Sequence, residues 1–123
     1  MQVMALIYDD ASRWDASSPD EREAVYAQYG AFTDEAGKAG VLVRGAELAS
    51  ARDATTVRVR DGESLVTDGP YAEVKEALGG YFILECESMD KAVEYAAKIP
   101  GAQHGAIEVR PIYVDPAAEG TES

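Results

Sequence analysis

The first residues with a readable pattern, Val3 to Tyr8, are apolar at every position. Val3, Ala5 and Ile7 fall on one face of an extended chain, and Met4, Leu6 and Tyr8 on the other. A strand of this kind needs cover on both sides. Asp9 to Ser17 is polar and reads as a loop with Trp14 as its apolar anchor, either a lid over the core edge or part of a pocket wall. The period then lengthens. Val25, Tyr29, Phe32, Ala36 and Ala39 recur at spacings of four and three, which predicts a helix with one apolar stripe turned to a sheet. Its start is marked by Ser18 as N-cap, Pro19 in the first position and Glu21 closing a capping box; Gly40 ends it. Tyr26 lies beside the stripe, toward solvent or a cavity. Val41 opens a second strand that runs toward Leu48, with Gly45 marking a bulge or a close backbone approach.

Strict alternation returns at Thr55 to Arg60, and Asp61-Gly62 is a two-residue hairpin turn before Leu65-Val66-Thr67. Thr56, Arg58 and Arg60 share one face of that hairpin, close to the carboxylates that follow. Asp68-Gly69-Pro70 stops the strand: Gly69 tolerates positive φ, and Pro70 brings φ already near the helical value. A short helix is expected from Pro70, ended by Gly79-Gly80. Tyr81 to Leu84 is a continuous apolar run and the best candidate for the central strand, extending into Glu85-Cys86-Glu87. Ser88 caps another helix, with Ala92, Val93, Ala96 and Ala97 toward the sheet and Pro100-Gly101 at its end. Ile107, Val109 and Ile112 form the last strand, Pro111 marking an edge or a bend.

The order is strand, helix, strand, hairpin, strand, helix, strand. Two β-α-β units with both helices on one side give an α+β, ferredoxin-like βαββαβ sandwich with an inserted β-hairpin and short helix. The other face of the sheet has no helix to cover it. Since the first and central strands are apolar on both faces, a second copy stacked about a two-fold axis is the simplest cover, and a homodimer is expected.

Composition narrows the function classes. The chain has 123 residues, 46% hydrophobic and 28% charged, which suits one globular domain over residues 1–114 with a frayed acidic tail at 115–123. No apolar run approaches the roughly 20 residues that cross a bilayer. Met1 to Tyr8 lacks a basic leader and a small-residue cleavage site, so it reads as a strand and not as a signal peptide. Cys86 is the single cysteine, in an apolar strand, and reads as a small core residue in a reducing cytoplasm. The formal charge of −12 repels a phosphate backbone and disfavours direct binding of nucleic acid.

Candidate chemistry gathers at the Asp68 segment. In one reading it borders a small-molecule cleft, enzymatic or sensory, with Asp68, Glu73 and His104 as acid and base groups. Tyr8, Arg58, Tyr71, Lys75 and Arg110 would then bind the ligand. In a second, the acidic protein is an interaction module for a basic partner, its charge speeding the encounter. In a third, Asp68 and Glu73 only cap helix ends and pair with Arg58 or Arg110. One His and one Cys without ligand spacing point to no metal site. The absence of a glycine-rich phosphate loop, nucleophile elbow or dinucleotide fingerprint points to no cofactor.

Asp68-Gly69-Pro70-Tyr71-Ala72-Glu73-Val74-Lys75-Glu76 resembles the Asp-Gly-Pro-Phe-Ala-Glu-Thr-Lys-Glu motif of the DGPF proteins of the YCII-related superfamily, with Tyr71 for Phe and Val74 for Thr. Met4 to Tyr8, Thr56-Val57-Arg58, Gly79-Gly80-Tyr81 and Ile107 to Pro111 extend the resemblance over nearly the whole chain before the tail. It implies a dimeric ferredoxin-like α+β barrel. Such proteins have been proposed to be enzymes on a His and Asp pair, the His standing on the first helix. That helix has no His here, the only histidine being His104 before the last strand. Genes of the DGPF branch often lie beside, or are fused to, those of extracytoplasmic-function sigma factors, which implies a sigma factor as a partner without direct DNA contact.

Overall fold

The computed structural model describes residues 1–117, so the segment 118–123 of the expected tail lies outside the described residues. Six strands form: β1 (Gln2–Asp10), β2 (Leu42–Glu47), β3 (Thr55–Arg60), β4 (Glu63–Asp68), β5 (Glu76–Glu85) and β6 (Ala106–Pro111). Three α-helices accompany them: α1 (Ala11–Asp15), α2 (Pro19–Lys38) and α3 (Met89–Ala96). Short 3₁₀ turns occupy Ala51–Asp53 and Pro100–Gln103.

The main sheet has the order β2-β5-β1-β6, and its neighbouring strands are antiparallel. This arrangement is consistent with a ferredoxin-like α+β fold. The two apolar strands expected to need most cover, β1 and β5, take the middle places. Val3, Ala5 and Ile7 of β1 and Phe82 and Leu84 of β5 pack against Phe32 and Ala36 of α2 and Ala92 and Ala96 of α3, so both helices lie on one face. The Phe82 ring, 5.0 Å from Phe32 and 6.3 Å from Tyr29, is the aromatic centre of this core. The capping box of α2 forms as expected: the Glu21 N–H donates to Ser18 Oγ and the Ser18 N–H to the Glu21 carboxylate.

The helix-free face carries Met4, Leu6 and Tyr8, with Ile83, Tyr81 and Leu78 opposite them in register. Ile83 is buried between its neighbours; Met4, Leu6, Tyr8 and Tyr81 are half-buried, and Leu78 is 37% exposed. Charge lies at the margins of this face, with Glu108 and Arg110 on β6 paired with Leu6 and Met4, and Glu85 at the end of β5 paired with Gln2.

Three expectations are corrected. No helix forms over 70–75, directly after the Asp68-Gly69 turn. β1 runs on to Asp10, and Tyr8, Asp9 and Asp10 pair with Leu78, Ala77 and Glu76, so Ala77 to Gly80 is strand. This leaves only Tyr71 to Lys75 for a helix, too few to repay the cost of nucleating one. Gly79 is the bulge where the register shifts, and Gly80 allows close approach of β2, since a β-carbon there would stand 2.8 Å from the Ala46 carbonyl oxygen.

The second correction concerns the Asp9 to Ser17 loop, which contains α1, capped by the Asp10 carboxylate on the Ser12 N–H. Trp14 packs edge-on against Tyr26 at 5.5 Å and under the Arg22 guanidinium at 5.1 Å, joining α1 to α2. The third is the face of α3. Val93 is 52% exposed and Ala97 is also outside, because the buried positions Ala92, Ala96 and Ile99 follow the four-and-three spacing one residue earlier.

Candidate functional site

β3 and β4 form a separate two-stranded hairpin with Val57 opposite Val66 and Arg58 opposite Leu65. Its turn is made as the sequence implies, with positive φ at Asp61 (52°) and Gly62 (79°). The base of the hairpin is tied by Gly69, which takes φ of 102°: its N–H donates to the Ala54 carbonyl at 2.7 Å, and its own carbonyl accepts from Thr56 Oγ1 at 2.8 Å. Gly69 therefore sets the direction in which the Pro70 to Lys75 loop leaves.

A cleft of about 1090 Å³ lies between three walls: the Leu48 to Ala54 connection, strand β3, and the Pro70 to Val74 loop with the β5 start at Ala77 and Leu78. Tyr8 also lines it. The lining is largely apolar, with Val57, Val59 and Val74 about three-fifths exposed and Leu78 less so. Arg58 and Arg60 are its cationic groups. The Arg58 guanidinium lies 4.8 Å from the centre of the Tyr71 ring, a cation–π contact that holds the β3 wall to the loop wall.

Of the residues singled out from the sequence, Tyr8, Arg58 and Tyr71 therefore meet at one cleft. Asp68 ends β4, paired in register with Thr55, and is exposed outside the lining. Glu73 is exposed on the loop and does not line the cleft. Lys75 lies close enough to Asp10 to help hold its carboxyl below the usual range, after the larger effect of the two hydrogen bonds from Ser12. Arg110 pairs with Glu108 on the edge strand β6, and that contact raises its pKa. His104 is exposed beyond the Pro100–Gln103 turn, its N–H on the Gly101 carbonyl. The acid and base candidates Asp68, Glu73 and His104 are thus not gathered around the cleft. Val57, Val59 and Leu78 were not singled out, although the alternation of β3 already put two valines on the face opposite the arginines.

A smaller groove of about 580 Å³ runs beside α3, lined by Lys91, Glu94, Tyr95, Ala97 and Lys98. Its lysines are already paired, Lys91 with Glu94 and Lys98 with Glu35, so it offers little uncompensated chemistry. Among the described residues no group of three or more His, Cys, Asp or Glu could hold a metal ion, and no helix is long and apolar enough to cross a membrane.

A family model described as the YCII-related domain matches residues 1–114. The chain belongs to the YCII-related family. An uncharacterised protein of Rhizobium meliloti (strain 1021) is 37% identical over 114 residues, covering 91% of this chain and 92% of the relative. The match takes in the sheet, both packed helices, the hairpin and the loop that forms the cleft of this YCII-related chain.

Proposed function

We propose that this YCII-related protein is a homodimeric small-molecule-binding protein, its ligand held in the cleft between the hairpin and the end of the sheet. One observation carries the reading: Tyr8 and Leu78 belong both to the apolar helix-free face and to the cleft wall. A second copy seated on Met4, Leu6, Tyr81 and Ile83 would cover that face and bound the cleft on its open side. Mostly apolar walls with a few polar groups suit a small ligand. The reading assigns no reaction.

A fragment screen followed by ¹H–¹⁵N spectra tests it. Ligands should shift the amides of Tyr8, Val57, Tyr71 and Leu78 together. Hits scattered over the surface, or none, would sink the proposal.

The charge of −12 supports a second reading, an interaction module for a basic protein such as a sigma factor. Gel filtration of the mixed proteins at low salt should then give a complex. Separate elution would dispose of it.

A further inference from the structure

We infer that the cleft takes a small organic anion, an aromatic or apolar body carrying a carboxylate that Arg58 and Arg60 receive. The inference rests on the proposed small-molecule reading and names its ligand class.

The argument begins from where positive charge goes unpaired. With 23 acidic residues against 11 basic ones, a cation in this chain has carboxylates in excess. Most basic side chains take one: Arg13 with Asp9, Lys38 with Asp34, Arg52 with Asp15, Lys91 with Glu94, Lys98 with Glu35 and Arg110 with Glu108. Arg58 and Arg60 make no ion pair among the described residues, and both line the cleft. Glu63 stands directly across from Arg60 in the hairpin register, yet the Arg60 guanidinium donates to the Val59 carbonyl at 2.9 Å instead.

Geometry fixes what Arg58 can accept. Its guanidinium lies over the Tyr71 ring, so the face is occupied and the N–H groups around its rim are left for an acceptor in the guanidinium plane. A carboxylate matches that fork with two parallel hydrogen bonds. Val74, Leu78 and Tyr8, which line the same cleft, offer apolar surface for a planar or aliphatic body. Asp53 also lines the cleft, so two arginines against one carboxylate leave it a net positive lining in a chain that otherwise repels anions.

The test uses trans-cinnamate and its neutral isostere cinnamamide, titrated into the full chain and followed in ¹H–¹⁵N spectra. Cinnamate should shift the amides of Val57, Arg58, Tyr71 and Leu78 and bind about tenfold more tightly than cinnamamide, the worth of a charge-assisted hydrogen bond. Arg58→Gln should abolish the difference, and Arg60→Gln should reduce it, with the remaining spectrum unchanged. Equal affinities for the two probes, or an undiminished preference in Arg58→Gln, would overturn the anion inference while the cleft reading stands. If neither probe moves the cleft amides, both fall.

Discussion

Gly105 stands so close to the carbonyl oxygen of Tyr8 that a β-carbon added to it would overlap that oxygen, with Asp9 Cα only 3.1 Å away. The loop that carries His104 is thereby pressed onto the backbone of a cleft residue. Gly105→Ala should destabilise the fold by about 3 kcal/mol, since backbone and not a flexible side chain is in the way. It should also displace the Tyr8 amide resonance. Gly30→Ala is the control: inside α2, with nothing within 4 Å of the added carbon, it should stabilise by about 0.5–1 kcal/mol. Urea unfolding of both variants measures the contrast, and equal effects would contradict the close packing.

Acid should loosen the starts of the first two helices. Hydrogen bonds from Ser12 lower the Asp10 pKa below its ordinary 3.8, and those involving Ser18 lower Glu21 below 4.5. The folded chain therefore binds fewer protons at these groups than the unfolded chain. Their stabilisation is complete above those ordinary values and is lost as pH falls through the lowered ones. Ser18→Ala should cost about 1 kcal/mol at neutral pH. Ala in its place keeps the backbone N–H that is the larger cause and loses only the hydroxyl, so the Glu21 titration, followed by carboxyl ¹³C shifts, should move only part of the way toward 4.5. A midpoint returned fully to 4.5 would show that the backbone N–H of residue 18 does not hold the Glu21 carboxylate.

Cys86 should be nearly inert in the native protein. Its side chain is 5% exposed, and burial pushes the thiol pKa up, keeping the reactive thiolate scarce. Alkylation by iodoacetamide at pH 8 should be slow in buffer and fast in urea. Rapid labelling of the folded chain would mean that the end of β5 opens readily.

Much of the fold was legible because two local signals agreed with the tertiary demand. Ser18 to Glu21 carries a complete capping box, and the apolar run from Val3 to Tyr8 forms the strand expected of it. The segment after Pro70 misled because its local chemistry is that of a helix start. Pairing of Glu76 to Leu78 with the extended end of β1 is a long-range contact that local signals do not report. The same holds for the candidate site. Arg58 and Tyr71 were each singled out as ligand-binding candidates, but the sequence set Arg58 near carboxylates, whereas its guanidinium lies over the Tyr71 ring. Glu73 lies outside the cleft wall on the loop that leaves the Gly69 turn, Asp68 is held in the β4 ladder opposite Thr55, and His104 sits on a separate loop before β6. Gly105 shows the limit most plainly, since no residue pattern around it reveals that its partner is the backbone of Tyr8.

The account depends most on the cover for the helix-free face formed by Met4, Leu6, Tyr81 and Ile83. Light scattering on the purified chain measures this directly through its mass in solution. A dimer should appear at twice the 13.2 kDa of one chain, and Leu6→Glu should split it into folded single subunits. A mass of 13.2 kDa at tens of micromolar, unchanged by Leu6→Glu, would contradict the account.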